Sequence, residues 1–233
     1  MSSLRDHLAL VTGSSRGIGA AIAKSFAQQE AKVVIHGRDG AALSSIRKEI
    51  ELAGGRSMQV SGDVTNFTDV EAARLRIEGE FGPVDILVAN AGGSFTPPGP
   101  LEDTSEEGWR ASVDGNLTAT FLTIKSFLPG MKERRRGSII TISSAAGRRP
   151  HPRSPIPYSV AKAGIELMSQ DVAAQAGPYG IRVNCIAPET ILTERSLERI
   201  PKEQLASFGG YSPSQASGYS RGCRVRRSLS RVR

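Results

Sequence analysis

Thr12-Gly13-Ser14-Ser15-Arg16-Gly17-Ile18-Gly19 follows the apolar run Leu8 to Val11 and opens a segment in which Ile18, Ala21, Ile22 and Phe26 recur at helical spacing. A strand therefore hands over to a helix here, through a turn built of small residues. Gly13 suits a tight backbone turn, Gly17 lets the main chain approach a ligand, and Gly19 removes a side chain where helix meets sheet. What the turn presents is a helix N-terminus with unpaired N–H groups, a site for an anion such as a pyrophosphate.

Working outward, 233 residues with 39% hydrophobic and 23% charged side chains fit one α/β domain with a full core. The net charge of +7 is no sign of a nucleic-acid partner. Gly209 to Arg233 holds six arginines and no acid, which leaves the body nearly neutral. Met1 to His7 carries both charge signs and leads into an apolar run too short for a signal peptide or a membrane span, so a cytoplasmic protein with no membrane partner is expected. Cys185 and Cys223 show neither metal-ligand spacing nor a disulfide framework. No metal is expected.

Apolar β-type runs alternate with amphipathic stretches along the chain, which predicts successive βαβ units. The fold class is α/β, a single Rossmann-like, doubly wound parallel sheet with helices on both faces. Strands are expected at Leu8 to Val11, Lys32 to His36, Ser57 to Val60, Asp85 to Ala89, Ser138 to Ile142 and Ile181 to Ile186. The second ends at Gly37-Arg38-Asp39, where an adenosine ribose would be read. Glycine followed by arginine leaves room for, and charge against, a 2′-phosphate, and Arg16 lies within reach of the same group, so NADP(H) is preferred over NAD(H). The other reading makes Arg38 a solvated loop residue and Asp39 the ribose ligand. From Ser105 to Met131 the pattern predicts a helix whose core stripe is Val113, Leu117, Phe121 and Ile124.

The fifth strand runs into Ser143-Ser144-Ala145-Ala146-Gly147, and Tyr158-Ser159-Val160-Ala161-Lys162 follows on a helix. Tyr158 and Lys162, four residues apart, project from one face, so the ammonium can lower the phenol pKa. Bringing a phenol from near 10 toward neutrality takes roughly 4 kcal/mol of differential stabilisation. Ser144, at the carboxyl end of a parallel strand, is placed to orient a carbonyl oxygen. A serine hydrolase would need a nucleophile elbow and a histidine partner, and His7, His36 and His151 fit no such pattern.

Over about residues 4 to 200 the chain resembles the short-chain dehydrogenase/reductase family. The likeness rests on Thr-Gly-x-x-x-Gly-x-Gly at 12–19, Asn90-Ala91-Gly92 after the fourth strand, Gly115-Asn116-Leu117-Thr118, Ser144, and Tyr158 with Lys162. It implies catalytic roles for Asn116, Ser144, Tyr158 and Lys162. It implies cofactor contacts from Gly13, Ser15, Arg16, Gly17, Ile18, Gly19, Arg38, Asp63, Val64, Asn90, Ala91, Gly92, Tyr158, Lys162, Pro188, Ile191 and Thr193. Asp63 would bind the adenine amino group, although alone it reads as a turn or helix cap. Asn90 would brace the sheet, and Asn116 would hold a water in a proton relay. The implied activity is hydride transfer between NADPH and a ketone or secondary alcohol, with a 3-oxoacyl thioester as leading substrate and 3-oxoacyl-[acyl-carrier-protein] reductase-like members as the nearest in kind. Glu189 departs from the family pattern, which has Pro-Gly where this chain has Pro188-Glu189.

The domain is expected to span 1–208, with a substrate loop from about 188. The segment 209–233, rich in Gly, Ser and Arg, is expected to be a disordered basic tail. It has neither the Thr-Gly nor the Asp-Gly-Gly signature of the family's end, and the composition switch after Phe208 resembles out-of-frame translation. The sheet is therefore expected to lack a seventh strand, and the family's homo-oligomer, usually a tetramer, to be perturbed toward a dimer or aggregate. The competing expectation is a non-catalytic or impaired dinucleotide-binding protein.

Overall fold

The computed structural model describes residues 4–150, 154–189 and 191. Among them six strands form one parallel sheet: β1 (Leu8–Thr12), β2 (Lys32–Gly37), β3 (Arg56–Ser61), β4 (Ile86–Ala89), β5 (Gly137–Ile142) and β6 (Ile181–Ile186). Their order is β3-β2-β1-β4-β5-β6, and each agrees with the expected run to within one residue per end. The chain divides into two units, residues 1–189 and 190–233, and the sheet belongs to the first. The expected tail and the absence of a seventh strand concern residues outside those described.

Six α-helices connect or follow the strands: α1 (Gly17–Gln28), α2 (Gly40–Leu52), α3 (Phe67–Glu80), α4 (Glu106–Val113), α5 (Ala119–Glu133) and α6 (Ile156–Ala176). Strand alternation explains why the central runs are apolar throughout. Leu8, Leu10 and Leu87 point to a core shared with Val70 and Ile77 of α3 and Phe127 and Met131 of α5. Ala9, Val11, Ile86 and Val88 point the other way, to Ala20 and Ala23 of α1 and Leu43 and Ile50 of α2. A strand covered on both faces has no polar side to show. Burying each of Leu10, Leu87 and Ile139 contributes roughly 1.5–3 kcal/mol.

On α1 the register differs slightly from expectation. Gly19, Ala20 and Ala23 are buried, whereas Ala21 is exposed.

The expected helix at 105–131 is interrupted. α4 ends at Val113, Asp114–Thr118 forms a π-turn, and α5 begins at Ala119. One extra residue in that turn rotates the downstream face, because a π-turn advances the chain by a residue without advancing the helical register. Ile124 is buried, joined by Thr120, Thr123, Phe127 and Met131, but Val113 and Leu117 are only half-buried and Phe121 is 46% exposed. The predicted stripe is thus correct only at its last member.

β1 and β4 pair in parallel at the point where strand order reverses. Loops leaving their carboxyl ends diverge there, and an open α/β sheet binds ligands in that crevice.

Candidate active site

The glycine turn is fixed from both sides. The Ser14 main-chain N–H donates to the His36 carbonyl at 2.9 Å. The His36 N–H donates in return to Ser14 Oγ at 2.9 Å. From β4, Asn90 Nδ2 donates to the carbonyls of Thr12 at 2.9 Å and Gly13 at 3.1 Å. Gly13 and Gly17 have φ of 64° and 57°, the left-handed region that glycine enters without strain. A Cβ on Gly19 would lie 2.4 Å from the Gly13 oxygen and 2.5 Å from Asn90 Nδ2, so only glycine allows this packing. Arg16, the N-cap of α1, provides no side-chain acceptor to the first turn. The helix end therefore keeps N–H groups for an anion, and the turn fits a dinucleotide pyrophosphate.

At the far end of the turn, β2 delivers Gly37, Arg38 and Asp39. Arg16 pairs with Asp39 at 3.4 Å and Arg38 with Asp63 at 3.7 Å, all four side chains being well exposed. Asp39 also caps α2, accepting from the Ala42 N–H at 3.0 Å. Asp63 accepts from the Thr65 N–H at 2.9 Å and from Thr65 Oγ1 at 2.8 Å. These bonds hold its carboxyl below the usual range, with Arg38 adding to the effect. Val64 packs partly buried against the core. Gly37 sits against Ser15, where an added Cβ would meet the serine side chain at 3.5 Å.

The candidate catalytic side chains gather where β4, β5, the π-turn and α6 meet. Gly92, with φ of 155°, lies between two candidate side chains. A Cβ on it would come within 2.5 Å of Asn116 Oδ1 and 3.4 Å of Lys162 Nζ. Asn116 is fully buried. Its Oδ1 accepts from the Gly93 N–H at 3.0 Å, and its Nδ2 donates to the carbonyls of Gly93 at 2.9 Å and Ser112 at 2.8 Å. The side chain thus ties the loop after β4 to the π-turn.

Lys162 is 4% exposed and donates from Nζ to the Ile142 carbonyl at 2.8 Å. Tyr158, one turn earlier on α6, places its ring centroid 5.6 Å from that Nζ. Burial pulls Lys162 down to about 8, against the influence of nearby Cys185. It pushes the Tyr158 phenol up, and the hydrogen bond with Ser144 pulls the other way. The expected lowering of the phenol by the lysine is therefore not the arrangement found. The ammonium is engaged with main-chain oxygen, and at the phenol desolvation outweighs the hydrogen bond with Ser144.

Several residues that the sequence reading passed over complete the site. Ser143 Oγ lies 2.9 Å from both the Lys162 carbonyl and Glu166 Oε1, joining the end of β5 to α6. Gly147 lets the turn after Ser144 press against α6, since its Cβ would lie 2.8 Å from the Ala163 nitrogen. Thr12 Oγ1 accepts from the N–H groups of Asn90 at 3.0 Å and Ala91 at 3.1 Å. The small side chains in these places were the only signal available. Beyond β6, the Pro188 carbonyl accepts from the Ala145 N–H at 2.9 Å. Glu189, in place of the expected glycine, pairs with Arg149 at 2.8 Å. Ile191 is exposed, and Thr193 lies outside the described residues.

Among the described residues no group of His, Cys, Asp and Glu is arranged to hold a metal ion, and no helix is long and apolar enough to cross a membrane.

The sequence model of short chain dehydrogenases matches residues 7–204. Glucose 1-dehydrogenase 2 of Bacillus subtilis (strain 168) is 36% identical over 202 residues, 86% of this chain and 78% of that protein. The crystal structure of a 3-oxoacyl-[acyl-carrier protein] reductase with bound NAD from Brucella melitensis superposes with a TM-score of 0.79 at 35% identity, covering 84% of this chain and 76% of that one. A 3-oxoacyl (acyl-carrier-protein) reductase from Agrobacterium tumefaciens C58 with NADP bound gives 0.80 at 30% identity, covering 88% and 78%.

Proposed function

As the chain belongs to the short chain dehydrogenase family, we propose that it is an NADP-dependent oxidoreductase that interconverts a ketone and a secondary alcohol, with a 3-oxoacyl thioester as the leading substrate. The observation that carries the reading is the gathering of Asn116, Ser144, Tyr158 and Lys162 around Gly92 and the carboxyl end of β5.

When bound, the reduced nicotinamide supplies hydride to the carbonyl carbon. The Tyr158 hydroxyl, hydrogen-bonded to Ser144, gives its proton to the carbonyl oxygen as charge develops there. A phenol kept protonated by burial is suited to the reductive direction. Ser144 orients that oxygen. Lys162 holds the cofactor ribose. Asn116 fixes the loop after β4 through its bonds to Gly93. At the other end the α1 N-terminus, with Gly13, Ser15, Gly17, Ile18 and Gly19, takes the pyrophosphate. Arg16 and Arg38 take the 2′-phosphate, Asp63 and Val64 the adenine, and Asn90, Ala91 and Gly92 the adjoining ribose side. Pro188, Ile191 and Thr193 border the nicotinamide.

The test is NADPH oxidation against a panel of ketones and 3-oxoacyl thioesters. Turnover of at least one is expected. NADPH binding without turnover of any would favour a non-catalytic dinucleotide-binding protein.

Self-association through the outer face of α5 and α6 belongs to the same proposal, since members of this family are usually oligomeric. That face carries an open cavity of about 510 Å³ lined by Leu117, Phe121, Gly164, Leu167, Met168 and Val172 together with Thr118, Asp171 and Gln175. Phe121 and Leu167 are 46% and 62% exposed there. A cytoplasmic location is consistent with this set of small-molecule substrate and self-partner.

A further inference from the structure

We infer that Glu166 is a positioning residue that holds Ser144 in place through Ser143 and Arg148, an inference that rests on the proposed reaction at this site. Tyr158, Lys162 and Glu166 stand at four-residue intervals on α6, so they share one helix face. All three reach the exit of β5. Tyr158 is hydrogen-bonded to Ser144 and Lys162 Nζ to the Ile142 carbonyl. Glu166 takes the residues on either side of Ser144. Its Oε1 accepts from Ser143 Oγ at 2.9 Å and from Arg148 Nε at 2.9 Å, and its Oε2 lies 3.1 Å from the same Nε.

Ser144 itself is weakly tied. Its Oγ accepts from the Ala146 N–H at 3.3 Å, and the Ala145–Gly147 segment that follows is a single 3₁₀ turn, too short to be stiff alone. The stretch from Ser143 to Arg148 is therefore placed by what fastens its two ends to α6, the helix that carries Tyr158. Glu166 fastens both. Its side chain is only 19% exposed and its donors include a guanidinium, so the tie is firmer than a solvated surface pair. Two helical turns, about 12 Å along the axis, separate it from Tyr158, so it acts through these partners and not on the reacting atoms.

Glu166→Ala removes both ties, whereas Glu166→Gln keeps an oxygen for Ser143 and Arg148 and drops only the charge. With NADPH and a ketone turned over by the wild type, kcat is expected to fall about 10- to 100-fold in Glu166→Ala and less than about three-fold in Glu166→Gln. The NADPH Kd should hold within about two-fold in both. The deciding measurement is a double-mutant cycle with Ser144→Ala, since the hydrogen bonds of Ser144, to Tyr158 and from Ala146, do not include Glu166. With the Ser144 hydroxyl gone its placement no longer counts, so Glu166→Ala should then cost less than about two-fold. Where Glu166→Ala does not fold, Ser143→Ala, which removes one tie, takes its place in the cycle. Independently of turnover, exchange of the N–H groups from Ala145 to Arg148 should quicken about five-fold or more in Glu166→Ala and return toward wild type in Glu166→Gln. Additive losses in the cycle, or unchanged exchange in folded Glu166→Ala, overturn the inference. A wild type that turns over no ketone or 3-oxoacyl thioester fails the proposed reaction instead, and the exchange result then decides by itself whether Glu166 holds the turn.

Discussion

Lys162 Nζ donates to the main-chain oxygen of Ile142 at 2.8 Å, fastening the second turn of α6 to the carboxyl end of β5. The bond orients an ammonium that burial otherwise disfavours, as its lowering to about 8 records. A buried cation with one neutral partner is a cost to folding that function would justify. Lys162→Met, similar in length but uncharged, is expected to stabilise the cofactor-free protein by about 1–3 kcal/mol at neutral pH. The same change should abolish turnover. Urea denaturation beside an activity assay checks both signs, and a destabilised variant would contradict the first.

His36 predicts a loss of stability in mild acid. Its side chain lies buried beside Gly62, with Nδ1 unpartnered among the described residues, and burial lowers its pKa from 6.5 to about 4 despite the carboxylates of Asp63 and Asp69. The folded protein thus holds the ring neutral where the unfolded chain protonates it. The ring's contribution is full above pH 6.5 and is lost as pH falls toward 4, by about 3 kcal/mol in all. His36→Asn should show a correspondingly flatter decline in urea midpoint between neutral pH and pH 4.5. Parallel declines in the two proteins would contradict this.

How much of this was readable beforehand follows from the range of the interactions involved. The strand, turn and helix around Gly13, Gly17 and Gly19 were legible because period and turn chemistry are local. So was the shared face of Tyr158 and Lys162, which only needs helical spacing. The π-turn at Asp114–Thr118 was not, since one inserted residue leaves composition unchanged while rotating Phe121 outward. Ser143 was missed because its partner Glu166 lies 23 positions away, brought near only by packing. The direction of the Tyr158 shift depends on burial, which i,i+4 spacing does not report.

Self-association should depend on the α5 and α6 face. Leu167→Glu places a charge on its exposed apolar surface, where a monomer tolerates it and an interface does not. Light scattering after gel filtration should show a smaller assembly than wild type, with the thermal midpoint of the fold nearly kept. An unchanged mass would move the interface elsewhere.

The most direct test of the central claim is single-turnover hydride transfer in Tyr158→Phe, which keeps the ring and removes the proton. With NADPH and a ketone turned over by the wild type, the transfer rate is expected to fall by about 10²–10⁴. The NADPH Kd should stay within about two-fold, because the glycine turn, the arginines and Lys162 remain. A rate equal to wild type at equal NADPH occupancy would contradict the assignment of Tyr158 as proton donor, and with it the proposed reaction at this site.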